Sequence, residues 1–207
     1  MKDLIIVGAG GFGREALCLA LEINKIRKQW NILGFIDDNH DALNGVKCDY
    51  QIIGSIKNWI PEENQVFAIG ISAPVAKEKV TTHLKSRNAK FITLISPHVY
   101  VGPYTEMGEG CVVYGSIGDN VKLGNFVHIA GSMIGQDSVI GDYSTTSGFV
   151  NVASAIIGKR VFIGSNSVIL NHLKVGDDAY VCAGSMVFSN IKSGRKVWGN
   201  PAKTFIY

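Results

Sequence analysis

The chain has 207 residues, 46% of them hydrophobic and 18% charged, with a formal net charge of +3. That allows one or two domains with a sizeable core, and the scattered Lys and Arg argue against a nucleic-acid groove or a face built for an anionic membrane. Four cysteines without metal-type spacing (Cys18, Cys48, Cys111 and Cys182), no signal-type N-terminus and no long apolar run predict a cytoplasmic protein with reduced thiols, no metal and no membrane insertion.

Asp3 to Val7 reads as a short buried strand, followed by Gly8-Ala9-Gly10-Gly11-Phe12-Gly13. Arg14 to Lys25 reads as a helix with Ala16, Leu17, Ala20 and Leu21 on one face. A second strand is predicted at Ile32 to Ile36, ending in Asp37-Asp38, and a third at Val66 to Ile71. Ala73 to Ser86 reads as a helix, with Pro74 tolerated in its first turn, and Lys90 to Ile95 as a fourth strand. Strands alternating with helices imply a small parallel sheet with helices on its faces.

Gly8, Gly10 and Gly13 match G-x-G-x-x-G between a strand and a helix, the pattern that brings backbone N–H groups and a helix N-terminus onto a phosphate. The acidic pair at the end of the second strand lies where a ribose hydroxyl would be held. The first reading of this pattern is NAD binding. A sheet of about four strands lacks a second mononucleotide half, however, and suits a single nucleotide, such as the diphosphate of a nucleotide-sugar. A glycine turn that only packs helix on strand is the alternative.

Pro97 to Gly102 hands over to a different pattern. Val101, Met107 and Val113 start irregular turns, and the short step from Val113 to Ile117 leaves the register open, with Gly115 or Asp119 a candidate for an outward loop. Anchors then recur every five or six residues at Leu123, Ile129, Ile134, Ile140, Thr146, Val152, Ile157, Ile163, Ile169, Val175 and Val181. This is neither a helical stripe nor a hairpin alternation. A six-residue repeat is the mark of a β-helix, with anchors on the prism axis and Gly, Asn, Asp and Ser at the corners. One unit cannot bury its anchor, but stacked coils can. The repeat breaks at Asn190 to Arg195, and Val197 to Lys203 is expected to leave the helix and cover its last coil. A purely structural solenoid is the alternative to a catalytic one.

The order VGAGGFGRE, GFIDD, FAIG, hexapeptide repeats, VCAGSMV and GNPAK resembles the bacterial NeuD/PglD-like sugar O- and N-acetyltransferases over nearly the whole chain. The resemblance implies an α/β plus all-β fold. A Rossmann-like nucleotide-sugar-binding domain spans 1–94, and a left-handed parallel β-helix with a C-terminal tail spans 95–207. It implies acetyl-CoA as co-substrate, a nucleotide-activated sugar as acceptor, and a homotrimer with active sites between subunits, serving surface-glycan synthesis. By position, Gly10, Gly11 and Phe12 border the nucleotide diphosphate, Asp37 and Asp38 hold the base or ribose, and Gly70 lines the same pocket. Thr145, Ser165 and Ala183 fall where the family contacts the coenzyme.

The family carries a His followed by an acidic residue in the coil before an IGD-type turn; here those positions are Gln136 and Asp137. A carboxamide has no basic lone pair, whereas imidazole suits proton abstraction near neutrality. Three readings follow. In the first, an amine is acetylated with Asp137 or a water as base and positioning supplies much of the rate. In the second, another histidine takes over: His128 in the same coil, whose simpler reading is a solvated corner residue, or His172, two coils on and better suited to the coenzyme side. In the third, catalysis is lost and the chain binds a nucleotide-sugar. Sialic acid O-acetylation is the alternative chemistry.

Overall fold

The computed structural model describes residues 1–204. Four parallel strands, β1 (Lys2–Val7), β2 (Trp30–Ile36), β3 (Ile52–Gly54) and β4 (Gln65–Ile69), form a sheet in the order β3-β2-β1-β4. The central strand β1 is solvent-free from Leu4 to Val7, and every residue of β4 is buried, as expected of parallel strands covered on both faces. Helix α1 (Gly11–Ile26) buries Gly13, Ala16, Leu17, Leu19 and Ala20 against the sheet. Helix α2 (Pro74–Lys85) opens with a proline in its first turn, where the missing N–H has no intrahelical partner to lose.

The fourth strand is not the expected one. Ile52–Gly54 supplies it, and its three residues are too few to show a period. The segment predicted as strand at Lys90 to Ile95 gives the sheet one bridge, Phe91 to Phe67, and then changes allegiance. Leu94 and Ile95 pair with Val112 and Val113 and are already the first strand of the β-helix.

The β-helix consists of two-residue strands stacked in three parallel sheets. The first face runs from Leu94–Ile95 through Val112–Val113, His128–Ile129, Thr145–Thr146 and Phe162–Ile163 to Tyr180–Val181. The second carries Ser116–Ile117, Met133–Ile134, Asn151–Val152, Val168–Ile169 and Met186–Val187. The third carries Glu106–Met107, Lys122–Leu123, Val139–Ile140, Ile156–Ile157 and Lys174–Val175. In each strand from Lys122–Leu123 to Tyr180–Val181, the second residue is the anchor read from the sequence, and every anchor from Leu123 to Val181 is buried. Corners are turned by residues in the left-handed region, among them Asn120, Asp137, Ser154 and His172 on the corner between the second and third faces.

Between Val113 and Ile117 there is no outward loop. The corner is simply tighter there, and a Cβ on Gly115 would lie 2.2 Å from the Ser132 carbonyl oxygen, so the close stacking of the next coil requires glycine. At the other end, Lys196–Trp198 stays on the first face beside Tyr180–Val181, and Lys203–Thr204 folds back antiparallel onto it. The tail therefore extends the first face by two strands at its open edge instead of leaving the helix to cover it.

The α/β domain docks on the first face. Leu94, Val112 and Phe126 of the β-helix belong to the same apolar cluster as β1, β4 and α1, so the two parts share a core. Phe91 packs edge-on to Phe126, which stacks on Tyr143 at 5.4 Å. Ion pairs from α2, Lys85 to Glu109 and Glu78 to Arg160, flank the contact.

Candidate active site

The glycine loop is clasped from behind. The Gly8 N–H donates to the Ile36 carbonyl at 2.8 Å, and the Ala9 N–H to Asp37 Oδ2 at 2.7 Å. Asp37 Oδ1 accepts from the Asn39 N–H at 2.8 Å, and Asp38 Oδ1 from the Lys57 N–H at 3.0 Å. Both acidic residues predicted to face a ribose therefore also organise the backbone at the end of β2. Two of the glycines are packing residues: a Cβ on Gly13 would meet the Gly8 carbonyl oxygen at 1.9 Å, and one on Gly70 would meet Gly13 Cα at 2.4 Å. Gly10 and Gly11 differ. A Cβ on either would meet nothing within 4 Å, and both are exposed. Gly10 is the N-cap of α1 without a side-chain cap, so the first N–H groups of a sixteen-residue helix face open space with no capping oxygen.

That space is a cleft of ≈ 690 Å³ between α1 and the corner joining the first and second faces. Gly11, Phe12, Arg14, Glu15 and Cys18 line one side; Tyr114, Ala130, Gly131, Ser147, Gly148 and Ser165 line the other. Beyond Tyr114, the β-helix side is a column of small residues, one or two per coil. Ser165 continues it, and Ala183 stands one coil further along the same corner, where the Gly184 N–H donates to the Ser165 carbonyl at 2.8 Å. Tyr114 brings a phenol whose oxygen is buried without a partner, and burial pushes its ionisation far up. Arg14, whose guanidinium reaches the Ala9 carbonyl at 3.3 Å, is the cation beside the glycine loop. Arg14 and Tyr114 were not among the sequence candidates. Arg14 was readable as the residue directly after the glycine motif; Tyr114 sits in the coil whose register was open.

Thr145 is elsewhere. It is solvent-free under the α/β domain, where its Oγ1 donates to the Ser72 carbonyl at 2.7 Å and accepts from Lys77 Nζ at 2.9 Å. Lys77 is itself fully buried and also reaches the Ser144 carbonyl at 3.3 Å. Burial without a carboxylate partner holds its ammonium well below the usual lysine range. His128, one strand away, is 2% exposed and stacks on Phe12 with ring centroids 5.8 Å apart. It is not the solvated corner residue of the simpler sequence reading. Neither ring nitrogen has a hydrogen bond of normal geometry, and burial, reinforced by the Lys77 charge, keeps the imidazole well below its ordinary pKa, a poorly aligned approach to the Ile69 carbonyl opposing this only in part.

Gln136 and Asp137 occupy a different corner, between the second and third faces. They line a second cleft, of ≈ 580 Å³, with Ser154, Ile156, Asn171, His172 and Leu173. Asp137 Oδ1 accepts from Asn120 Nδ2 at 2.6 Å in the coil below. Within one chain, Gln136 and the glycine loop thus open onto separate clefts with no lining residue in common. His128 shares neither lining, whereas His172 shares the cleft of Gln136. Among the described residues, no three His, Cys, Asp or Glu side chains cluster as a metal site, and no helix is long and apolar enough to cross a membrane.

Comparison with known proteins agrees with this architecture. The PglD N-terminal domain family matches residues 3–84, and the bacterial transferase hexapeptide family, a six-repeat unit, matches residues 154–189; together they account for more than half of the chain. Comparison with curated protein sequences gave no match. Among solved structures, WeeI from Acinetobacter baumannii superposes with a TM-score of 0.86 at 26% identity, covering 99% of this chain and 100% of that one. The acetyltransferase domain of PglB from Neisseria gonorrhoeae, in complex with acetyl coenzyme A, gives 0.86 at 22% identity, covering 99% of both chains. PerB from Caulobacter crescentus, in complex with CoA and GDP-perosamine, gives 0.85 at 20% identity, covering 100% of this chain and 98% of that one. A PglD-type N-terminal domain running into a transferase hexapeptide helix makes this protein a hexapeptide acyltransferase with the domain order of the NeuD/PglD-like sugar acetyltransferases, and it shares the fold of WeeI over its full described length.

Proposed function

We propose that the chain transfers the acetyl group of acetyl-CoA to the amino group of a nucleotide-linked amino sugar, as a cytoplasmic step of surface-glycan synthesis. The observation that carries this reading is the cleft in which the uncapped N-terminus of α1, with unencumbered Gly10 and Gly11, faces a column of small residues. The N–H groups at Gly11, Phe12 and Gly13 suit a diphosphate, with Arg14 beside them as a cation. Asp37 and Asp38 keep unused lone pairs for the ribose or base, and Gly70 supports the loop. Ser165 in the cleft and Ala183 one coil further on the same corner border the place for the thioester-bearing chain, and Thr145 fixes Ser72 behind the first face. PerB is bound to CoA and GDP-perosamine, an amino sugar on a nucleotide, and the PglB domain to acetyl coenzyme A. All four cysteines are free, which suits a reducing compartment.

The acceptor site is completed by a second copy. Gln136 and Asp137 lie on a corner away from their own glycine loop, and the apolar side chains Met133 and Ile156, exposed by 60% and 47%, flank that corner from the second and third faces. Three flat-faced prisms around a threefold axis bring such a corner against a neighbour's cleft. There, Gln136 hydrogen-bonds the acceptor and Asp137 orients it. The amine nitrogen attacks the thioester carbonyl, the oxyanion forms and collapses, the C–S bond breaks with its electron pair on sulfur, and the proton lost by nitrogen ends on the thiolate, releasing CoA as the free thiol. A deprotonated amine is nucleophilic without much help, so holding it at the carbonyl carries much of the rate.

Free-thiol release from acetyl-CoA tests the reading, with GDP- and UDP-linked 4-amino sugars and free sialic acid as acceptors. Release with an amino sugar is the expected result. Release with sialic acid alone moves the assignment to O-acetylation. No release, with a nucleotide-sugar still bound, favours a binding protein, the reading that Gln136 in place of an imidazole supports.

A further inference from the structure

Of the five histidines in the chain, one lines the cleft that holds Gln136 and Asp137. His172 stands on the same corner column as Asp137, two coils further on, and both are in the left-handed region, with φ of 61° and 59°. Between them the column is occupied by Ser154, whose carbonyl accepts the His172 N–H at 3.0 Å. Each coil advances by about 4.8 Å, so the two corners are roughly 10 Å apart along the axis. A short serine between two longer side chains leaves a notch, walled by Gln136 and Asp137 on one side and by Asn171 and His172 on the other. A gap of that size admits one reacting centre with a hydrogen-bonding group on each side.

The other histidines are placed otherwise. His128 is sealed under Phe12, His83 lies against the Lys57 carbonyl, and His40 and His98 line neither cleft. His172 is exposed, with no side-chain hydrogen bond among the described contacts to hold its ring back. Asp137 is the one charged side chain lining the cleft with it, and Lys174 is the nearest cation along the chain.

We propose that His172 is the proton acceptor of the acetyl transfer, taking over from across the notch the role that an imidazole at position 136 would have; this rests on the acetyl-transfer reading above. As the acceptor nitrogen forms its bond to the thioester carbon, a ring nitrogen of His172 takes the proton released from that nitrogen. When the C–S bond breaks, its electron pair goes to sulfur, and the imidazolium returns the proton to the departing thiolate. The products are an amide and free CoA thiol, with the imidazole neutral again. Asp137, the one charged side chain lining the notch with it, lies across the notch and favours the imidazolium through its field while the ring carries the proton.

The test uses the full chain and the acceptor with which it releases thiol fastest. His172→Asn is the variant of choice, because asparagine tolerates the left-handed corner and the fold is kept. The expected result is a fall in kcat of about 100-fold or more, with loss of the acidic limb of the pH–rate profile and partial rescue by added imidazole. A His172→Asn protein with native kcat and an unchanged pH profile overturns the assignment while leaving acetyl transfer intact. So does a variant that raises only the KM for acetyl-CoA, which would make His172 a coenzyme contact. Absence of thiol release by the native chain overturns the acetyl-transfer reading, and this assignment with it.

Discussion

The two halves of the first face carry the same repeat and lead different lives. Val112, His128, Thr145, Phe162 and Tyr180 occupy one register column, each the outward residue of its two-residue strand. The first three are buried, at 2%, 2% and 0% exposure, because the α/β domain lies on them; Tyr180, beyond its edge, is 43% exposed and stacks on Phe162 at 5.0 Å. The hexapeptide pattern fixes what points to the prism axis. What points away is decided by whatever the rest of the chain lays against it, and the clefts at the glycine loop and at Gln136 both open on that outward side.

The sharpest way to break the comparison is to place the same charge at both ends of the column. Val112→Asp puts a carboxylate into the shared core with no partner and should cost about 3–5 kcal/mol of stability in urea denaturation. Tyr180→Asp, in the same register but outside the docked domain, should cost under about 1 kcal/mol. Equal losses would mean that the α/β domain does not seal the first half of the face.

Lys77 should give an effect of opposite sign. Its ammonium is buried opposite Thr145 and Ser144, and neither acceptor depends on it: Thr145 Oγ1 still donates to Ser72, and the Ser144 carbonyl still accepts the His128 N–H at 3.0 Å. Lys77→Met therefore removes a desolvated cation and orphans nothing, and should raise stability by about 1–3 kcal/mol at pH 7. The pH dependence follows from linkage. With the native pKa held well below 10.5, the unfolded chain binds more protons than the native one between those two values, so the Lys77 contribution to stability rises with pH across that window. Denaturation at several pH values should find that rise in the native chain and a flatter profile in Lys77→Met.

The sequence showed most of the fold. Anchors from Leu123 to Val181 were all placed on the axis, because a missed anchor would expose an aliphatic side chain and leave a hole in the stack. It did not reveal the three-residue β3, too short to have a period, or the switch of Leu94–Ile95 from one sheet to the other, since both destinations bury an apolar pair. In the site, Gly11, Phe12 and Ser165 meet in one cleft, but Tyr114 fell where the register was open. The outward residues were hardest to read. His128 and Thr145 occupy positions that face solvent in an isolated β-helix, and no periodicity reports that a second domain covers them. Gln136 and His172 are legible as neighbours only once the coil length is known, because 36 positions separate them in the chain and two coils of one corner in space.

His128 gives the finest probe of the covered half. Its ring is stacked on Phe12 and faced by Lys77, whose charge opposes protonation, with the Ile69 carbonyl on the opposing side. The native pKa is depressed below 6.5, so the folded chain declines a proton that the unfolded chain accepts. The stability due to the neutral ring is present in full above the unfolded value and is lost as the pH falls through it, at a slope of at most about 1.4 kcal/mol per pH unit. His128→Leu keeps an apolar side chain under Phe12 and deletes this proton linkage. Its stability between pH 7 and 5 should fall less steeply than that of the native chain, by up to that slope, whatever the absolute cost of losing the ring stack. Identical slopes would mean that water reaches the imidazole and that the docked domain opens at this point, which would return His128 to the residues able to exchange protons with a substrate.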